Sequence, residues 1–223
     1  MNPSQERAWA RLHDRYIVDV PRGERATSVA PGATVEWPAA FGRTAPLLVE
    51  IGSGVGEVLA ALAGQQPQAN IVGLEVFEPG IASTLSRLAR ADVHNVRIVV
   101  ADGTQALDAL FPPRSITELW TFFPDPWHKK RHHKRRLVNA DVARLVASRL
   151  VAGGRWRLAT DWADYAEWMR DILDAEPGLR NEFAQWAPRW ADRPVTKFEQ
   201  RGIDAGRRIY DLSYLASDAG ADA

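Results

Sequence analysis

The chain contains no cysteine in 223 residues, so neither a disulfide framework nor a thiolate metal site is open to it. It has no apolar run long enough for a signal peptide or a membrane span, which sets a soluble, cytoplasmic protein with no membrane association as the expectation. Net charge is missing too, with 28 Lys and Arg against 28 Asp and Glu. What is present is enough apolar material, 46% of the chain, to bury one sizeable core, and α/β domains of this length commonly stay undivided. The nine tryptophans include Trp120, Trp156 and Trp168, which sit within apolar periodicity where core packing explains them.

Neutrality holds only in the sum. Lys129, Lys130, Arg131, Lys134, Arg135 and Arg136 fall in one short run, and outside it 28 acidic residues face 22 basic ones. Positive charge concentrated in this way steers polyanions where net charge cannot.

Residues 1–44 carry Pro21, Gly23, Pro31, Gly32 and Pro38 and lack sustained periodicity, so a short helix near Pro3 to Arg15 followed by an irregular arm is predicted. From Leu47 onward, short β-rich runs (LLVEI, NIVGLEV, VRIVV, ITELWTFF, GRWRLAT) alternate with helical patterns. Ile81, Leu85, Leu88 and Ala89 share one helical stripe, and Tyr165, Trp168, Met169, Ile172 and Leu173 another. Such alternation predicts βαβ units in a mostly parallel sheet with helices on both faces, a Rossmann-like α/β domain over residues 45–216. Two last runs, RPVTKFEQRG and RRIYDLSYL, read as strands of a C-terminal antiparallel hairpin, and residues 217–223 read as a disordered tail.

The first strand leads into Glu50-Ile51-Gly52-Ser53-Gly54-Val55-Gly56, a glycine turn that opens a helix and lets a ligand approach the backbone. Glu75 lies nineteen residues past Gly56 at the end of the second strand, where a carboxylate accepts hydrogen bonds from ribose hydroxyls. Asp102, after the third strand, suits an adenine amino group. The fourth strand breaks at Pro124-Asp125-Pro126 and delivers Asp125 to its carboxyl end, the side on which open α/β sheets bind ligands. Each of these acids also has a plainer reading, as a solvated strand end or a turn-former. The cationic run that follows points to phosphate binding. His128, His132 and His133 show an i, i+4 spacing, but the surrounding cations oppose a divalent ion and no metal is expected.

The strings EIGSGVG, GLEVFEPG, FFPDPWHKKRHHKRR, ATDW and RPVTKFEQRG occur in that order, and together they resemble the bacterial tRNA (guanine-N7)-methyltransferases over about Phe41 to Leu215. The glycine turn resembles the S-adenosylmethionine turn of class I methyltransferases. By this resemblance Glu50, Gly52, Gly54, Gly56, Glu75, Asp102 and Asp125 bind S-adenosylmethionine, and Asp125 is also catalytic. Lys129, Asp161, Thr196, Lys197, Phe198 and Glu199 contact the substrate, while Arg131, His132, His133, Lys134, Arg135 and Arg136 form the RNA-interacting segment. The implied activity is methylation of a variable-loop guanine at N7, with tRNA as partner and no obligate protein partner, the chain acting as a monomer or homodimer.

Guanine N7 carries a free lone pair and no proton, so a strong general base is not required. A carboxylate at Asp125 would instead stabilise the cationic ring that forms and orient the base. Asp161 and Glu199 would accept hydrogen bonds from guanine N1 and N2. Two rival readings are a methyltransferase of this fold with another substrate, and a non-catalytic RNA-binding module.

Overall fold

A computed structural model describes residues 1–217, which form two compact units, Met1–Pro112 with Asp192–Pro194, and Pro113–Ala191 with Val195 onward. The predicted disordered tail lies, from residue 218, outside the described residues.

In the first unit β1 (Leu47–Ile51), β2 (Asn70–Glu75) and β3 (Val96–Val100) run parallel in the order β3-β2-β1. Every residue of β1 is buried, Glu50 included, as in a parallel strand covered on both faces. The crossovers are α3 (Glu57–Gln65) and α4 (Glu78–Arg90), and α5 (Gly103–Leu110) follows β3. Ile81, Leu85 and Leu88 of α4 are fully buried, as their stripe predicts. A Cβ on Gly80 would stand 2.5 Å from the Gly54 carbonyl, so α4 can pack against the glycine turn only because that position has no side chain.

The N-terminal segment is more ordered than its prolines and glycines imply. Asn2 and Gln5 form a capping box that starts α1 (Pro3–Tyr16), and the Tyr16 hydroxyl donates to the Val93 carbonyl at 2.9 Å. Beyond α1, Ile17 bridges Ile98 in parallel and Val18 N–H donates to the Ile98 carbonyl, so the arm lines the β3 strand. A short α2 (Trp37–Phe41) docks through Trp37, whose ring N–H donates to the Leu110 carbonyl and whose ring stacks on Phe111 at 4.9 Å.

In the second unit β4 (Ile116–Phe122) pairs parallel with β5 (Leu150–Thr160), and β7 (Tyr210–Ala216) lies antiparallel between β5 and β6 (Leu179–Asn181). The core is built from Leu119, Trp120, Trp156, Leu158 and Tyr214, with Trp156 Nε1 donating to Thr121 Oγ1 at 3.0 Å. Asn139 caps α6 (Ala140–Arg149), and α7 (Ala163–Asp174) buries Tyr165, Met169 and Leu173. The antiparallel strand at the C-terminus is β7, but its partner is not RPVTKFEQRG. That run forms α8 (Lys197–Asp204), because Thr196 Oγ1 accepts from Glu199 N–H and caps the helix. The short β6 takes the place in the sheet instead.

Candidate active site

The residues expected to hold a methyl donor belong to the first unit. Gly52, Gly54 and Gly56 have φ of 79°, 56° and 72°, the left-handed region where glycine is favoured. At Gly56 a side chain is also excluded by space, since its Cβ would fall 2.3 Å from Thr84 Cγ2. Glu75 holds this turn shut. Its Oε2 accepts from Gly54 N–H at 2.7 Å, and its Oε1 accepts from Val76 N–H at 2.7 Å and Phe77 N–H at 2.9 Å. Each carboxylate oxygen has two lone pairs; Oε1 has both engaged, and Oε2 keeps one for a ribose hydroxyl.

Glu50 is the least satisfied group. It is 3% exposed, and Oε2 has no hydrogen-bond partner among the described residues. Burial, and then the Glu75 carboxylate, push its carboxyl well above the usual glutamate range. An unsatisfied buried acceptor costs about 1–3 kcal/mol, and such a group marks a place where a ligand completes the structure. Asp102 has a structural task as well: Oδ1 accepts from Gln105 N–H at 3.0 Å and caps α5, while its own N–H donates to the Thr27 carbonyl of the arm at 2.7 Å.

The second unit carries the acidic turn and the cations. Phe123 and Trp127 have φ of 52° and 46°, so two non-glycine residues in the left-handed region bracket Pro124-Asp125-Pro126. Strain of this kind costs about 1–3 kcal/mol per residue and collects at functional sites. Asp125 is exposed and accepts no hydrogen bond from any described residue, so it does not behave as a turn-former. After it, Lys130–Arg135 make a 3₁₀ turn with no buried side chain. Lys129, Lys130, Arg131, Lys134 and Arg135 are exposed and form no salt bridge with a carboxylate among the described residues, whereas Arg136 is 2% exposed and bound internally. The histidines do not converge: His128 packs on Trp162 at 4.0 Å, His132 on Trp127 at 5.8 Å, and His133 on Trp168 at 5.9 Å.

Two of the expected base-recognising carboxylates are already engaged. Glu199 is fully buried, its Oε1 and Oε2 accepting from Arg189 at 2.6 and 3.1 Å. Asp161 Oδ2 accepts from Arg207 Nε at 2.8 Å, and Oδ1 takes nothing from the described residues. Phe198 is 47% exposed on α8 with Lys197 Nζ at 5.1 Å and the Arg201 guanidinium at 6.0 Å from its ring. Asp161, Trp162, Asp164, Arg207, Arg208 and Tyr210 line a cavity of about 390 Å³. Sequence reasoning did not single out Arg189, Arg207, Arg208 or Tyr210 as functional. The signal for two of them was there, in adjacent arginines just after Gly206, whose φ is 67°.

The family model described as "Putative methyltransferase" matches residues 44–212. A tRNA (guanine-N(7)-)-methyltransferase of Cutibacterium acnes is 56% identical, covering 98% of this chain and 80% of that protein. One from a Nocardioides species is 51% identical over 96% of this chain and 82% of its own length. In fold, the chain is similar to the crystal structure of a variant 16S rRNA (adenine(1408)-N(1))-methyltransferase of Catenulisporales acidiphilia with its cosubstrate S-adenosylmethionine. The TM-score is 0.59 at 16% identity, covering 92% of this chain and 99% of that one. The fold is thus the Rossmann-like fold of class I methyltransferases, and by sequence the chain belongs to the tRNA (guanine-N(7)-)-methyltransferase family.

Proposed function

We propose that this protein transfers the methyl group of S-adenosylmethionine to N7 of the variable-loop guanine in tRNA. The observation that carries the reading is Asp125, an exposed carboxylate that accepts no hydrogen bond from the described residues, on a strained turn after β4, followed by five exposed cations that form no salt bridge among those residues.

The first-unit residues fit the methyl donor. Glu50 offers a buried carboxyl oxygen with no hydrogen-bond partner among the described residues, Glu75 Oε2 keeps one acceptor site for a ribose hydroxyl, and the glycine turn leaves the backbone bare. Asp102, tied to α5 and to the arm, stands at the end of β3, where an adenine amino group would find an acceptor. When bound, S-adenosylmethionine supplies an electrophilic sulfonium methyl. N7 attacks with a lone pair that is already free, so no side chain has to remove a proton. Asp125 then serves the positive charge that develops on the purine and fixes the orientation of the ring.

Asp161 Oδ1 is the acceptor available to guanine N1 and N2 donors, which adenine does not present in the same pattern. Thr196 and Glu199 act through structure, one capping α8 and the other gripping Arg189, while Lys197 and Phe198 present a ring and a cation to RNA. Lys129 and the run Arg131, His132, His133, Lys134 and Arg135 hold phosphates, at some cost in affinity as salt rises. A single chain carries both residue sets, so the reading needs no obligate protein partner. We place its work in the cytoplasm as a monomer or homodimer; no helix among the described residues is long and apolar enough to cross a membrane.

The test is methyl transfer from labelled S-adenosylmethionine to unmodified tRNA, with protein and small-molecule acceptors alongside. Transfer should depend on tRNA and vanish in Asp125→Ala while the circular dichroism spectrum is retained. Near-normal turnover of that variant would remove Asp125 from the reaction, and label on the other acceptors alone would favour a different substrate.

A further inference from the structure

The geometry points to Arg136 as a positioning residue for Asp125, not as a contact to RNA like the cations beside it. This rests on the methyl-transfer reading above.

Arg136 closes the cationic run in sequence but leaves it in space. Its side chain is 1% exposed, sandwiched between the Tyr165 ring at 4.8 Å and the Trp168 ring at 5.2 Å. Its Nη2 donates to Asp164 Oδ2, and its Nε donates to the Pro126 carbonyl at 3.0 Å. From Pro124 to His128 that carbonyl is the only group hydrogen-bonded to any described residue. The turn bearing Asp125 is therefore hydrogen-bonded at its start by Phe123 N–H on the Ala159 carbonyl, and at its end, among the described residues, by Arg136, with Trp127 and His128 held beside it by ring contacts to Arg135, His132 and Trp162. Between those two pins lies backbone strained at both Phe123 and Trp127.

The frame around Arg136 is itself secured. Val138 N–H donates to the Tyr165 hydroxyl at 3.2 Å, and Trp168 Nε1 donates to the Val138 carbonyl at 2.8 Å, so both stacking rings are tied to the chain two residues beyond the arginine. The Asp164 carboxyl is held below its usual range, first by the hydrogen bond from Arg136. Only a planar guanidinium can stack between two rings while sending one N–H to a carbonyl and another to a carboxylate. A lysine would keep the charge and lose the fork.

Misplacing a reacting group by about 1 Å costs on the order of 100-fold in rate. Arg136→Lys should accordingly lower kcat by about that factor while the tRNA Kd, its salt dependence and the S-adenosylmethionine Kd stay within twofold. Neutralising Arg131, Lys134 and Arg135 should do the reverse, weakening tRNA binding more than kcat. An unchanged kcat in Arg136→Lys would overturn the inference, as would a weaker tRNA Kd with the salt slope reduced by roughly 0.7–0.9, the mark of one lost phosphate contact. Should Arg136→Lys fail to fold in thermal melts, Asp164→Asn decides, because that carboxylate is 63% exposed and its removal leaves the core alone. A severalfold fall in kcat at constant tRNA Kd supports the role; full activity overturns it. Failure of the function reading itself would appear differently, as wild-type protein that leaves tRNA unlabelled.

Discussion

Replacing Glu50 by glutamine should make the protein more stable and a poorer binder of S-adenosylmethionine, two effects of opposite sign from one atom pair. Glu50 sits 3% exposed on β1 with Oε2 unpartnered and Glu75 close enough to add repulsion. Relieving a buried unsatisfied acceptor contributes about 1–3 kcal/mol to the folded state, or roughly 2–4 °C of Tm per kcal/mol in a chain of this size. The same change removes a charge-assisted hydrogen bond to a cationic ligand, about 1.5–3 kcal/mol, so Kd should rise roughly 10- to 150-fold. The stability gain must depend on pH. A carboxyl whose folded pKa lies above its ordinary 4.5 keeps its proton in the folded state while the unfolded chain releases it. Wild-type stability relative to the glutamine variant therefore falls as pH rises from about 4.5 toward the raised value, and below 4.5 the two converge. Thermal melts across that range and calorimetric titration with S-adenosylmethionine read both effects. A variant that melts earlier at neutral pH and binds the ligand normally would refute the assignment.

Neutralising Arg131, Lys134 and Arg135 together should weaken tRNA binding and flatten the log–log salt dependence by roughly two to three, about 0.7–0.9 for each phosphate contact; an unchanged slope would make the run ordinary solvated surface. Gly56→Ala should destabilise the protein by about 1–3 kcal/mol, because its Cβ would meet Thr84 Cγ2 at 2.3 Å from a backbone with φ of 72°. Wild-type Tm in that variant would mean the α3–α4 contact relaxes freely.

Much of this was visible in the residues because local pattern and global fold agree in the first five strands. LLVEI and NIVGLEV are short, mostly apolar runs, the pattern of strands buried on both faces, and the turn residues between them and the helical stripes mark them as strands. The glycine turn and the acid at Glu75 were legible because glycine and carboxylate spacing directly reflects backbone and ligand geometry. α8 was missed although Thr196-Lys197-Phe198-Glu199 has the S/T-x-x-E form of a helix start, since Val195, Thr196 and Phe198 also favour strands. β6 is three residues long, too short to show any period. Arg136 looked like its neighbours because sequence gives charge, not burial; its departure depends on Tyr165 and Trp168, about thirty residues on. Glu199 misled in the same way, its partner Arg189 lying ten residues upstream across an irregular segment.

The position at which a methyl group arrives on tRNA tests the proposed activity most directly. Unmodified tRNA incubated with the protein and labelled S-adenosylmethionine, then cleaved chemically at N7-methylguanine, should break at the variable-loop guanine and lose that break with Asp125→Ala. Label elsewhere in the RNA, or label at that guanine undiminished in the variant, would contradict it.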